Sequence, residues 1–581
     1  MTWTMQAQAL ERGRYPIRLA RSVSGAAPAI LLAGSAIAAL AYFFEFLRPL
    51  ASQWDWVLPV DPADADPLIA ILSAIGLAAL TIGLIRGKSV AWWLAMATLS
   101  TSLLAQARAF SHPLGVIVVG GLLAILLADR RRYIVQTAIG WRRFIIALVV
   151  LAVLVIALET SLIIATTGDW PLPLSALGDI TSAIGSALGM SDDTSSRVLQ
   201  HTSRDAILGL LLLASRLPIV LAAFGVLGRV PEPPADPTTR ARARAIAERY
   251  GCGALLPFQL GEDKLVFSPE NADGVVVYGL AGRTAVVLGD LIGKPGTEPA
   301  VFDDFLVHCR KMDRLPVVYQ ASSAGRPTLT DAGFRVFKVG EEALISLPTF
   351  DTSGSKRANL RHTITRCRKD GVTFRWFAKG IPAEETQLID ELAAIDAVWR
   401  KKAGPQMGFT ISGFDRVSLG WQPVSVAVSP TGKALAYTTF RRTGVDGGWV
   451  LDLMRRSPDG PPGAVESTIA EAAAALKASG ANTLSLGLAP LGGLDMSSAG
   501  LEERLLAYGG KLVGRWYDVN GLYRFKNKFD PYWIPRYGAV RRRRDIVGFT
   551  IGLLRIHIAD AFRLPGWRRV ARSVTGRVAA A

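Results

Sequence analysis

Six long apolar runs occupy the first 228 residues, and they restrict the fold more than any other feature. They are Ala27–Leu47, Pro67–Ile85, Val90–Ala107, Pro113–Ala128, Phe144–Thr166 and Ala206–Gly228. About 20 apolar residues are needed for a helix to cross the hydrocarbon core of a bilayer. Inside lipid the backbone must satisfy its own hydrogen bonds, which favours helices. Residues 1–228 are therefore expected to form an α-helical transmembrane bundle of about six helices. The first run is too long for a signal-peptide core and lacks a cleavage site. Six spans place both ends of the bundle on one side. The segments 1–26, 86–89 and 129–143 hold 11 Lys/Arg, whereas 48–66, 108–112 and 167–205 hold four. Basic residues gather on the cytoplasmic side, so the remainder of the chain is expected in the cytoplasm. Glu159 and Arg216 fall within or beside apolar runs. Charges there are costly, and these two would pair across helices five and six, either holding the bundle together or lining a path for lipid headgroups.

The Pro-rich stretch 229–239 reads as a linker, and beyond it charged residues and turn signals alternate as in a soluble α/β protein. The whole chain carries a net charge of +17. Residues 1–228 hold 16 basic and 13 acidic side chains, so +14 belongs to residues 229–581. A basic domain tethered to a membrane suits anionic lipid or nucleic acid as partner. The three cysteines (Cys252, Cys309 and Cys367) and five histidines are scattered. They show neither a disulfide framework nor metal-ligand spacing, and no metal site or cofactor is expected.

Element order in the soluble part resembles two acyltransferase units of the GNAT type, giving an α/β (α+β) tandem. The first covers 240–350. The second, 351–545, contains the basic helix Ser355–Lys369, a helix Ala383–Lys401 and a last strand near Arg515–Tyr523. Residues 546–581 form a basic amphipathic tail. Following Arg541–Arg544, its Ile546–Leu564 segment suits the plane of a membrane interface.

The stretch Trp449–Pro490 stands out chemically. An apolar strand, WVLDLMRR, is interrupted by Asp452 and leads through a Pro/Gly turn into a helix over Ala464–Ser479, then a strand over Thr483–Leu488. Alternation puts Asp452 and Arg455 on opposite faces unless the strand bulges between them. A structural ion pair and a functional site are both compatible with this pattern.

The series DLMRR…PPGAVES…LSLGLAPLGG resembles the catalytic C-terminal domain of the MprF-type phosphatidylglycerol lysyltransferases, or aminoacyl-phosphatidylglycerol synthases. KRANLRHTITRCRKDG (Lys356–Gly371) and GLYRFKNKFDPYWIPRY (Gly521–Tyr537) resemble two further motifs of that family, in the same order. The resemblance implies transfer of an aminoacyl group, lysyl being favoured, from aminoacyl-tRNA to the glycerol headgroup of phosphatidylglycerol. The product lowers membrane negative charge and underlies resistance to antimicrobial peptides. It implies a multi-pass protein of the bacterial inner membrane, with phosphatidylglycerol, lysyl-tRNA and the anionic membrane as partners. Lipid flipping and a homo-oligomer are left open. By the same resemblance Asp452, Arg455, Glu466 and Lys526 are catalytic candidates. Lys356, Arg357, Arg361, Arg368 and Arg536 are candidates for holding tRNA or lipid phosphate. Family members carry a longer membrane region than this one. Two other readings stand: an aminoacyltransferase acting on another lipid or a peptidoglycan precursor, and a non-catalytic lipid-binding regulator of a transporter.

Overall fold

The computed structural model describes residues 78–109, 113–136, 235–403, 408–494, 502–504 and 519–557, with a few isolated positions besides. The chain divides into two compact units, Met1–Glu232 with Arg310–Asp313, and Pro233–Cys309 with Arg314–Ala581.

In the first unit, α1 (Ser89–Ala109) packs on α2 (Pro113–Ala128) through Ala91, Ala95, Val119 and Leu126. The Trp92 indole donates to the Leu126 carbonyl at 2.8 Å. These helices match two of the expected spans. Among the described residues, however, no helix is long and apolar enough to cross a membrane. Ser, Thr, Gln and Arg residues dilute α1, and α2 has only 16 residues. The Phe144–Thr166 and Ala206–Gly228 runs, nearly all of Ala27–Leu47, and both Glu159 and Arg216 lie outside the described residues; Pro67–Ile85 is described only from residue 78.

The second unit is built on one twelve-stranded sheet. Its strands are β1 (Leu265–Phe267), β2 (Gly274–Ala281), β3 (Thr284–Leu288), β4 (Ile292–Gly293), β5 (Leu315–Ala321), β6 (Arg335–Ser346), β7 (Thr373–Phe377), β8 (Val424–Val428), β9 (Ala434–Arg442), β10 (Trp449–Arg456), β11 (Thr483–Pro490) and β12 (Tyr532–Val540). The helices between and around them are α3 (Pro237–Tyr250), α4 (Leu256–Gln259), α5 (Glu298–Lys311), α6 (Arg326–Asp331), α7 (Ala358–Lys369), α8 (Thr386–Ala403), α9 (Arg416–Leu419), α10 (Ala464–Ala478), α11 (Val519–Asn527) and α12 (Asp545–His557). The strands lie in the order β1-β2-β3-β5-β12-β6-β11-β10-β9-β8-β7, with β4 beside β2. Two pairs are parallel, β3 with β5 and β10 with β11. Each parallel pair needs a crossover, which α5 and α10 supply. The pattern antiparallel strand, strand, helix, parallel strand thus occurs twice, as β2-β3-α5-β5 and as β9-β10-α10-β11.

The halves are not separate along the chain. Strand β6 pairs with β11 of the second half, and β12 pairs with β5 of the first. The two exchanged strands pair with each other from Tyr532↔Leu344 to Val540↔Arg335. The boundary expected at 350 is therefore no break in the sheet. The closing strand also differs from expectation: residues 519–527 form the helix α11, and the final strand lies further on.

Helices cover both faces, so central strands read as continuous apolar runs. All five residues of β3 are buried. Ala285 and Val287 meet Val301, Phe302 and Phe305 of α5, whereas Val286 and Leu288 join the opposite core. In the second half, α10 and α7 cover one face. The other is covered by α8 through Leu388, Leu392 and Ile395 against Val424, Val426 and Tyr437. The segment from residue 546, expected as a basic amphipathic tail suited to a membrane interface, forms α12 over Asp545–His557. Its Ile546 and Phe549 are buried in the first-half core, because its apolar residues recur at helical spacing and find the open face of β2 and β3.

Entry into α10 turns on Gly463, whose φ is +95°. A Cβ there would stand 2.0 Å from Thr363 Cγ2 of α7. Gly463→Ala should therefore destabilise the domain by more than the roughly 1–2 kcal/mol that a left-handed non-glycine residue costs alone. Adding Thr363→Ala should recover the steric part and leave the backbone part. Unfolding curves of the single and double variants check this, and equal losses in both would refute it.

Candidate active site

Parallel pairing of β10 and β11 stops after two rungs, Trp449↔Leu484 and Val450↔Ser485. In the first half β3 and β5 keep five, from Thr284↔Leu315 to Leu288↔Tyr319. Both second-half strands shift register at the point of parting. Strand β10 shifts against β9 between Leu451 and Met454, and β11 shifts against β6 between Ser485 and Leu488. The sheet thus opens here, with Asp452 two residues along one arm and Gly487 two along the other.

The β10 bulge resolves the facing problem posed by Asp452 and Arg455. One extra residue brings both to the face that α8 covers. Arg455 pairs with Tyr437 across the ladder, and its Nε donates to Asp396 Oδ1 of α8 at 3.0 Å. Its guanidinium lies 3.7 Å from the centre of the Trp399 ring. Asp396 is also 2.7 Å from Arg400 Nε. The Asp452 side chain is fully buried. Its Oδ1 accepts from the Ser412 N–H and its Oδ2 from Arg441 Nε, each at 2.9 Å. Arg441 in turn lies over the exposed Trp421 ring, 5.3 Å from its centre. The ion pairs that form are therefore not between Asp452 and Arg455: Arg441 holds Asp452, and Arg455 is held by Asp396. Between them the buried Tyr437 hydroxyl has no hydrogen-bond partner among the described residues, and burial pushes its phenol up.

The other arm carries a second buried charge set. Lys526 of α11 is 3 % exposed and donates from Nζ to the Leu488 carbonyl at 2.7 Å. Gly487, with φ of +78°, takes a left-handed conformation that favours glycine, and a Cβ there would only be in ordinary contact with Nζ at 3.8 Å. Burial pushes Lys526 down to about 7, with the Glu342 carboxylate opposing. Glu342 of β6 accepts from Ser485 Oγ at 2.5 Å and from Arg536 Nε at 2.7 Å. Arg536 reaches this site through the exchanged strand β12, where it pairs with Gly340. A third pair, Glu466 with Lys528 Nζ at 2.8 Å, sits in the first turn of α10.

The basic helix α7 divides differently from expectation. Leu360, Ile364 and Cys367 are buried, which turns most of its cations outward. Arg357 precedes the helix, is only 19 % exposed, pairs with Asp351 and Asp530, and lies over Phe350. Its contacts are structural. Arg361 donates to the carbonyls of Thr352 and Gly354, and Arg368 pairs with Glu471. Lys356 is 80 % exposed, and Arg366 and Lys369 are exposed in the last turn. Among the described residues, the hydrogen bonds and ion pairs of this helix do not reach Asp452 or Lys526, although Arg357 and Lys356 both reach Asp530 beyond α11.

Sequence reasoning missed Glu342, Asp396, Arg441 and Ser485. Two of these left a trace: Glu341-Glu342 directly precedes the apolar run Ala343-Leu344-Ile345 of β6, and Asp396 occupies the apolar stripe of α8 one residue after Ile395. Arg441 and Ser485 left none.

The chain belongs to the family described as phosphatidylglycerol lysyltransferase, C-terminal, whose model matches residues 244–540. A phosphatidylglycerol lysyltransferase of Bacillus subtilis is 28% identical over 315 residues, 54% of this chain and 36% of the relative. The lysylphosphatidylglycerol biosynthesis bifunctional protein LysX of Mycobacterium leprae is 28% identical over 344 residues, 57% of this chain and 29% of that protein. The match therefore spans about a third of the length of these relatives. Among solved structures, L-PGS from Bacillus licheniformis is 28% identical, covering 56% of this chain and 98% of that one with a TM-score of 0.49.

The low proton affinity of Lys526 has a consequence for stability. Folded protein releases this proton near pH 7, whereas an unfolded lysine holds it to about 10.4. Between these values the unfolded state binds more protons, so this group makes stability rise with pH across that window. Lys526→Met should remove that rise. Unfolding free energies of both proteins from pH 6 to 10 check it, and parallel curves would refute it.

Proposed function

We propose that this protein is a membrane-anchored aminoacyltransferase that moves a lysyl group from lysyl-tRNA to phosphatidylglycerol. The observation that carries the reading is the opening between β10 and β11, with buried charge on both arms. The family names lysyl transfer and the lipid acceptor; tRNA as donor is our inference from the basic surface and the chemistry.

The reaction is a transesterification. A glycerol hydroxyl oxygen attacks the ester carbonyl carbon of the aminoacyl group. The bond from that carbon to the ribose oxygen breaks, and the proton of the glycerol hydroxyl ends on the ribose oxygen. Such a reaction needs positioning, charge stabilisation and a proton carrier. Lys526, poised near neutrality, suits the last task, taking the proton as a free amine and returning it as an ammonium. Arg536, with part of its charge already met by Glu342, suits a lipid phosphate or a developing oxyanion. Asp452 and Glu466 are the carboxylates for the substrate ammonium groups. Each is already paired, to Arg441 and to Lys528, so an incoming ammonium binds by displacing or sharing a cation.

The repeated strand-strand-helix-strand unit and the exchanged final strands support reading the domain as two GNAT-like units, of which the second is catalytic. Its sheet opens and the first stays closed. Outward-facing Ile85, Trp93, Ile117 and Leu127 support a lipid environment for the N-terminal unit, since water disfavours such a surface. With the spans predicted from the sequence, the catalytic domain faces the cytoplasm of the bacterial cell, where tRNA is found.

Two experiments test this reading. Lipids extracted from an expressing host and analysed by mass spectrometry should contain a lysyl adduct of phosphatidylglycerol. Asp452→Asn and Lys526→Met should each lower its amount by at least about a hundredfold, as loss of an acid–base or charge-stabilising group does. Wild-type adduct levels in both variants would remove the opening from the active site.

For the donor, the exposed Arg366 and Lys369 are the cations to reverse, because Arg357 serves the fold. Arg366→Glu with Lys369→Glu should weaken aminoacyl-tRNA binding. It should also flatten the salt dependence by roughly 0.7–0.9 in log–log slope for each phosphate no longer neutralised. An unchanged slope would remove α7 from the donor surface.

A further inference from the structure

The helix α12 has two apolar faces, and only one is used by the fold. Ile546, Phe549 and Gly552 turn inward. Gly548 and Gly552 let the helix approach closely, since a Cβ on them would stand 2.9 Å from Leu315 Cδ2 and 3.0 Å from Thr284 Cγ2. On the opposite side Val547, Ile551 and Leu554 are 57%, 45% and 40% exposed. Their spacing of four and three residues aligns them in one stripe along the helix. A helix that met only water on its outer face would carry polar residues there.

Cations frame this stripe. Arg541–Arg544 are all exposed just before the first turn, and Arg555 is exposed in the last. Arg543 leans toward Glu502 at 3.5 Å. We propose that the outer stripe of α12, with Arg542, Arg544 and Arg555, is the surface by which the catalytic domain lies on an anionic phospholipid bilayer. Apolar side chains enter the boundary between headgroups and acyl chains while guanidinium groups meet lipid phosphates. Charge argues against a second copy as the occupant. Two such helices packed antiparallel by their stripes would set the arginine cluster of one against Arg555 of the other.

Where the domain rests is independent of the reaction above, and each can hold without the other. The test uses the full chain carrying Cys252→Ser, which removes the exposed thiol and leaves Cys309 and Cys367 buried. Ile551→Cys is labelled with an environment-sensitive fluorophore. The protein is then reconstituted into phosphatidylcholine vesicles with or without phosphatidylglycerol, each containing brominated lipid.

The expected result is quenching by the bromine atoms in the vesicles that contain phosphatidylglycerol, reduced when salt is raised. Arg542→Gln and Arg544→Gln should each lower the engaged population about fivefold, the effect of one basic residue at an anionic surface. An unquenched label in both lipids overturns the proposal. So does transfer of excitation between labelled copies without bromine quenching, which would make the stripe a contact between protein chains. Equal quenching in both lipids, insensitive to the arginines, overturns the anionic part. Sedimentation of the vesicles separates the two readings. Protein left in the supernatant of phosphatidylcholine vesicles contradicts the membrane anchor, whereas an unquenched label on sedimented protein contradicts only the role of α12.

Discussion

The ladder between β6 and β12 is the constraint on which the rest of the second unit depends. Each strand leaves the half that precedes it in the chain and completes the other half. Their mutual pairing from Tyr532↔Leu344 to Val540↔Arg335 makes one sheet of two. Arg536 and Glu342 become neighbours only through this exchange, Arg536 coming from β12 and Glu342 from β6. The ladder therefore positions part of the site as well as joining the halves.

Around that seam the protein tolerates an unusual amount of buried charge. Asp452 with Arg441, Arg455 with Asp396, and Glu342 with Arg536 are ion pairs in which at least one side chain is almost wholly enclosed. Burying either partner alone would be costly, and the pairs together add little to stability over apolar replacements. They are better understood as fixing direction. Arg441 and Arg455 are each clamped on two sides, by a carboxylate and by an aromatic ring. Such clamping leaves little freedom for the carboxylates they hold, as a reaction governed by positioning requires.

Much of this architecture was legible in the sequence. The apolar strand broken by Asp452, the proline-glycine turn and the alanine-rich helix reported β10 and α10 by local pattern alone. The bulge between Leu451 and Met454 was readable only as a condition, that Asp452 and Arg455 could share a face if the strand bulged. What local pattern could not report was pairing at a distance. Arg357 looked like one more cation on a basic helix, yet Asp351, Asp530 and Phe350 enclose it. Segment 545–557 looked like an interfacial tail because one stripe is apolar, and the second apolar face, which the sheet buries, was hidden in the same residues. Arg441 gave no warning, since its meaning depends wholly on a carboxylate brought to it by the fold.

The exchanged strands also bear on how the domain is made. Neither half of the sheet can close with its own strand, because β6 finds β11 only after residue 483, and β5 waits for β12 until residue 540. Contacts this distant along the chain must wait for loop closure, which slows folding. A nascent chain halted anywhere before β12 exposes an edge of β5 and an edge of β6 together. Unpaired edges of that kind invite pairing with another chain. During synthesis the domain thus depends on its last strand, and truncation there turns a closed sheet into an adhesive one.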